Sequence, residues 1–250
     1  MTCKELASYL DELLQPHRFK DYCPNGLQVE GRPQIRKLVT GVSACAALLD
    51  AAIAVGADAV LVHHGYFWRG ESLVITGAKQ ARIRRLLLND INLFAFHLPL
   101  DAHPSLGNNM QLGQRLGLKI DGYFGDNNLA VFSDLVVPLR LDALQQNVSA
   151  TLHRSPQIYG PQDGAVRIKR LGWCTGAAQN YFEAALQAGC DAFISGEVSE
   201  QTVHVAVEAG VPFIAAGHHA TERYGVQALG QHLAERFGLQ HRFIDIANPV

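Results

Sequence analysis

Near the start of the chain Leu6, Leu10, Leu13 and Leu14 recur at the spacing of a helix with one apolar face. Thr2 followed by Glu5 has the form of a capping box, so the helix is predicted to begin there. The segment Asp21 to Gly31 breaks the period with Pro24 and Asn25-Gly26 and is predicted to be a loop. From Ile35 the pattern becomes strand, helix, strand. Leu38-Val39-Thr40-Gly41 is followed by an Ala/Leu-rich helix from Ala44 to Ala54 and then by Ala59-Val60-Leu61-Val62. Continuous apolar strands that alternate with helices predict an α/β fold with a parallel sheet covered on both faces.

The same unit returns later in the chain. An offset of 133 lays Ile35 to Leu38 over Ile168 to Leu171, Ala51-Ala52 over Ala184-Ala185, and Gly56-Ala57-Asp58-Ala59 over Gly189-Cys190-Asp191-Ala192. Two long copies indicate two related α/β domains from an internal duplication, because a solenoid repeats shorter units more often. The first domain is assigned to 1–124 and the second to 125–250, with a C-terminal strand able to return to the first. Gly122 to Asn128, rich in Gly, Asp and Asn, is the expected linker, and Pro156 to Gly164 the expected surface loop of the second half.

Composition narrows the classes. At 250 residues and 48% hydrophobic the chain can bury a large core. Lys+Arg 21 against Asp+Glu 23 gives a net charge of -2, which provides no bulk attraction to nucleic acid or to an anionic membrane. The five cysteines are odd in number and form no C-x-x-C pair, which argues against a disulfide framework and for a reducing compartment. Charged residues interrupt the first dozen positions and no apolar run reaches a membrane span, so a soluble cytoplasmic protein is expected.

The chemistry sits beyond the predicted strand ends. Val60-Leu61-Val62 leads into His63-His64, Leu93-Phe94-Ala95-Phe96 leads into His97 and Asp101, and Phe213-Ile214-Ala215-Ala216 leads into Gly217, His218 and His219. Ligands of open parallel sheets gather at that edge. Six of the 11 histidines lie there, namely His63, His64, His97, His103, His218 and His219. His97-x-x-x-Asp101 also matches His218-x-x-x-Glu222 at an offset of 121, while the offset of 133 sets His63-His64 over Gly196-Glu197. On the helix expected after Gly217, His218 and Glu222 fall one turn apart on one face, where both can reach one ion. Imidazoles with carboxylates in these numbers suit divalent metals, and a two-metal site is within reach of the set.

The segments Asp21 to Gly31, Val62 to Trp68, His97 to Asp101, Gly196-Glu197 and Gly217 to Glu222 resemble those of the GTP cyclohydrolase 1 type 2 homologue family, the Nif-three-like dinuclear-metal proteins. The resemblance spans essentially the whole chain. It implies a two-domain α/β protein with two divalent metal ions per subunit at the domain interface, assembled as a toroidal homohexamer. Carried over by position, the metal ligands fall on His63, His64, Asp101, His218 and Glu222. The family set does not require His97, which the internal repeat pairs with His218, so His97 is held as an additional ligand or as a residue that supports a ligand, and Glu197 as a further supporting residue. The chain lacks the insertion that longer members carry between the halves.

Other features receive plainer readings. Glu197 is either a general base or a hydrogen-bonding loop carboxylate. Ser43 is expected to cap a helix rather than act as a nucleophile. Lys79, Arg82, Arg84 and Arg85 read as a solvated helix face, and Trp68 and Trp173 as core or interface residues. Two functions remain. One is a metal-dependent hydrolase acting on a nucleotide or damaged nucleotide, and the other is a non-catalytic metal carrier or regulatory module. The ligand types suit Fe, Mn, Zn, Ni or Co alike. No residue is assigned a catalytic role.

Overall fold

The computed structural model describes residues 1–250, which divide into two compact units. The first comprises Met1–Gly107 and Arg223–Ala247, and the second Asn108–Glu222 and Asn248–Val250. The division therefore falls at 107/108 instead of 124/125.

Unit 1 carries strands β1 (Gly26–Val29), β2 (Lys37–Ser43), β3 (Ala59–His64) and β4 (Asn92–Ala95), with helices α1 (Cys3–Leu14), α2 (Ala46–Ala54), α3 (Gly77–Leu88) and α4 (Leu98–Ala102). The second unit carries β5 (Gly122–Phe124), β6 (Ala130–Arg140), β7 (Gln157–Tyr159), β8 (Arg167–Cys174), β9 (Ala192–Ser195) and β10 (Phe213–Ala215). Its helices are α5 (Asn108–Arg115), α6 (Leu141–Leu152), α7 (Phe182–Gln187) and α8 (Glu200–Ala209). Helix α9 (His218–Phe237) begins in the second unit and continues into the first, where β11 (Gln240–Phe243) follows. None of these helices is long and apolar enough to cross a membrane.

The first sheet has the order β1-β4-β3-β2-β11. β4, β3, β2 and β11 run parallel, and β1 pairs antiparallel with β4. Alternate residues feed two cores. Leu38, Leu61 and Phe94 pack with Leu6 and Leu10 of α1 and with Val226, Leu229 and Leu233 of α9. Val39, Val60, Val62 and Leu93 pack with Leu48, Leu49 and Ala52 of α2 and Ile83 and Leu86 of α3. Helices on both faces explain why these strands are apolar throughout. At the start of α1 the capping box is present: Glu5 N donates to Thr2 Oγ1 at 3.1 Å, and Thr2 N donates to Glu5 Oε2 at 2.7 Å.

In the second sheet the order is β5-β6-β8-β9-β10-β7, with β8, β9 and β10 parallel and the others antiparallel. Two expected loops are strands here. The expected linker Gly122 to Asn128 contains β5, which pairs with β6, and the expected loop Pro156 to Gly164 contains β7, which pairs with β10. The boundary lies earlier because α5 is tied to this sheet. Trp173 Nε1 donates to Asn109 O at 2.9 Å, Thr175 N donates to Asn109 Oδ1 at 3.0 Å, and Asn109 Nδ2 donates to Leu129 O at 3.0 Å.

The repeat is physical as well as textual. Asp58 Oδ2 accepts from the backbone N–H of Arg36 and Lys37 at 2.8 and 2.9 Å. At the same offset Asp191 Oδ2 accepts from Lys169 and Arg170 at 2.7 and 2.9 Å. Lys37 Nζ donates to Val55 O, and Arg170 Nη1 donates to Ala188 O. Gly56 and Gly189 both turn the chain in the left-handed region, at φ 66° and 74°. Both units thus close the helix-to-strand turn with one carboxylate, one cation and one glycine.

Candidate metal centre

In unit 1 the last two residues of β3 are His63 and His64. His63 is fully buried, and its Nδ1 lies 2.9 Å from Phe96 O. A carbonyl only accepts, so Nδ1 carries the hydrogen and the neutral ring keeps its lone pair on Nε2. That Nε2 stands 3.4 Å from Asp101 Oδ1. His64 faces Ser43 across the β2/β3 register, and its Nδ1 lies 3.1 Å from Ser43 Oγ. His97, between β4 and α4, places Nδ1 2.7 Å from Asp21 Oδ1. One ligating atom from each of His63, His64 and His97 lies within 4.8 Å of the others. Trp68 borders this group, its ring edge-on to His97 at a centroid distance of 5.0 Å.

Burial alone would raise the Asp21 pKa, but the hydrogen bond and charge of His97, with donors from Asn25 and Tyr22, hold it below the usual carboxylate range. Cys23 also lies near Asp21 and His97, yet burial and the Asp21 charge push its thiol up to about 12. It is a neutral thiol at physiological pH.

In unit 2 the donors come from the start of α9. His218 Nδ1 is 2.6 Å from Glu197 Oε1, and its Nε2 is 3.1 Å from Glu222 Oε2 one turn along the helix. Burial would lower the His218 pKa, but the carboxylates of Glu222 and Glu197 raise it to about 9. The two carboxylates thus make the surroundings of this ring a place where positive charge is favoured. Two glycines make the approach possible. A Cβ on Gly176, which has φ 70°, would lie 2.0 Å from Glu222 Oε1, and a Cβ on Gly196 would lie 2.6 Å from the Cα of His218.

These positions bear on several sequence readings and correct that of Ser43. Ser43 does not cap α2, whose N-cap is Cys45; it terminates β2 and touches His64. His103 is a turn acceptor, its Nδ1 receiving Leu106 N at 3.0 Å. Lys79 and Arg85 are engaged by Glu71 and Asp50 on the protein surface. Trp173 is a fully buried core residue. Asp21 was missed because it meets His97 from 76 residues away, although it opens the one turn-rich segment that precedes the first apolar strands.

Fold and donors together define a two-unit α/β protein of related halves, each presenting imidazoles and carboxylates beyond the carboxyl ends of its parallel strands. The chain belongs to the Duf34/NIF3 (NGG1p interacting factor 3) family, whose model matches residues 1–249. A Pseudomonas aeruginosa protein named GTP cyclohydrolase 1 type 2 homolog is 52% identical over 247 residues, covering 98% of this chain and 97% of its own. The solved structure of protein ybgI, described as of unknown function, superposes with a TM-score of 0.95 at 50% identity over the whole of both chains. A Thermus thermophilus structure does so with a TM-score of 0.90 at 33% identity, again over the whole of both chains.

Proposed function

We propose that the protein binds two divalent metal ions through His63, His64, Asp101, His218 and Glu222 and acts as a hydrolase on a nucleotide or damaged nucleotide. One observation carries the metal reading. The imidazoles of His63, His64, His97 and His218 are each met at Nδ1, by Phe96 O, Ser43 Oγ, Asp21 and Glu197. That is how proteins fix a histidine whose Nε2 is to ligate. The donor chemistry fits as well, since neutral imidazole with carboxylate suits Fe, Mn, Zn, Ni or Co.

Divalent ions held there would supply Lewis acidity and bring the pKa of water toward neutrality. The chain's own part is positional. Glu197 fixes the His218 ring, the Phe96 carbonyl fixes His63, and Asp101 and Glu222 supply negative charge to balance the cations. Five protein donors for two ions leave coordination positions for water and substrate, which distinguishes a catalytic from a closed structural site. The name of the Pseudomonas aeruginosa relative points to a guanine nucleotide as the first substrate to try. The sequence resemblance adds a toroidal homohexamer as the expected assembly.

Elemental analysis of the purified protein beside the double variant His218→Asn, Glu222→Gln tests the ligand set. Metal content should fall to background while the far-ultraviolet circular dichroism is retained; unchanged stoichiometry would refute the assignment. Catalysis is tested separately by formate release from GTP and a panel of damaged purine nucleotides with metal-loaded protein. Absence of turnover across the panel, with both ions bound, would transfer the assignment to a non-catalytic metal carrier or regulator.

A further inference from the structure

We propose that His97 is a metal-ligating imidazole beside His63 and His64, and that Asp21 is the residue that positions it; this rests on the metal reading above. The loop before β1 is built around that task. Asp21 Oδ1 accepts from His97 Nδ1 at 2.7 Å and from Tyr22 N at 2.6 Å. Oδ2 accepts from Asn25 Nδ2 at 2.9 Å and from Leu98 N at 3.0 Å. Asn25 Oδ1 in turn accepts from His97 N at 2.7 Å. The Asp21 side chain is only 3% exposed.

Four donors occupy the two carboxylate oxygens, close to the full acceptor capacity of the group. Asp21 is therefore spent on its neighbours and is not itself a ligand, although it lies close enough to His97 and Cys23 to be grouped with them. Its effect on His97 is specific. The carboxylate only accepts, so Nδ1 carries a hydrogen and Nε2 is the ring atom left to ligate a metal. Backbone bonds on both sides, to His97 N and Leu98 N, fix the ring's origin as well as its tautomer. A histidine needed only for packing would not require both.

The placement of His97 supports the same role. A ligating atom of its ring falls within 4.8 Å of those of His63 and His64, and the ring centroids are 5.1 and 5.8 Å apart. The arrangement also matches His218, whose Nδ1 is held by Glu197. Each unit thus orients one imidazole through Nδ1 with a carboxylate brought from a different loop.

The test is a double-mutant cycle on Co2+ affinity and the Co2+ visible spectrum, using the full chain with wild type, Asp21→Asn, His97→Gln and the double variant. His97→Gln should weaken binding and shift the d–d bands. Asp21→Asn should weaken Co2+ about 10–100-fold when His97 is present and have little further effect when His97 is already Gln, because Asp21 acts through that ring. Equal losses from Asp21→Asn in both backgrounds, or wild-type affinity and spectrum in His97→Gln, would overturn the proposal. Should Asp21→Asn fail to fold, imidazole nitrogen-15 shifts of wild-type protein titrated with Zn2+ decide the same point. A metal-induced shift at His97 Nε2 supports it, and shifts at His63 and His64 without one at His97 refute it. Absence of any Co2+ or Zn2+ binding by wild type would instead remove the underlying metal reading.

Discussion

The two units share a frame and differ where the frame meets chemistry. Asp58 and Asp191 hold β2 and β8 by the same pair of backbone bonds. At the far ends of these strands and their neighbours the halves diverge. Under the repeat offset His63 corresponds to Gly196, and Ser43 to Gly176. In unit 1 the strand ends themselves carry the donor and its anchor. In unit 2 the positions of Ser43 and His63 are glycines and that of His64 is Glu197, and the start of α9 enters the space the glycines leave with His218 and Glu222. A duplicated scaffold thus furnishes imidazole in two ways, from strand ends in one copy and from a helix start in the other.

The sharpest way to break this contrast is to fill the space in unit 2. Gly176→Ala should cost about 1–3 kcal/mol from overpacking, together with about 1–2 kcal/mol for a Cβ in the left-handed region. It should also displace Glu222. Urea denaturation and metal content measure the two effects. Ser43→Gly in unit 1, which copies the unit 2 residue, should cost only about 0.5–1.5 kcal/mol. Similar stability losses from the two changes would erase the proposed distinction.

The shared frame is tested by Asp58→Ala and Asp191→Ala. Each strips the acceptor from two strand N–H groups, and a loss of about 1–3 kcal/mol is expected for each. Native-state hydrogen exchange should localise the first to β2 and the second to β8. Protection lost in only one unit would show that the repeat is textual there and not energetic.

The smallest expected effect concerns pH. Burial lowers the pKa of His241 on β11, whose Nε2 lies 2.8 Å from Thr40 Oγ1 of β2. The unfolded chain then binds more protons than the folded one. Stability from this site is therefore lost as pH falls below about 6.5. Amides of β2 and β11 should exchange faster at pH about 5.5 than their intrinsic rates predict, and His241→Gln should flatten the change. A wild-type profile already flat across this range would remove His241 from the account.

Much of the fold was legible because buried parallel strands write themselves as apolar runs. Leu38 to Gly41 and Ala59 to Val62 fall within β2 and β3, and the repeat places β8 and β9. β5 and β7 were hidden because Gly122, Pro156 and their polar neighbours carry turn chemistry even though the segments pair at or near sheet edges. The donors were legible from their places after those runs. Of the residues around them Glu197 stood out, but the roles of Asp21, Ser43 and Gly176 did not, since these act through contacts made in space and carry no periodicity of their own.

The return of β11 to β2 governs the order in which the molecule is made. Unit 2 is complete, apart from its last three residues, once the ribosome has passed Glu222. Unit 1 must wait for Val226, Leu229, Leu233 and Leu239 to fill the core against α1. Until then one edge of β2 is unpaired and the apolar surface opposite α1 is uncovered, a state prone to intermolecular pairing. The earliest segment to be synthesised is thus among the last to be secured, and premature termination after 222 would leave a second half short of only its last three residues attached to an adhesive first.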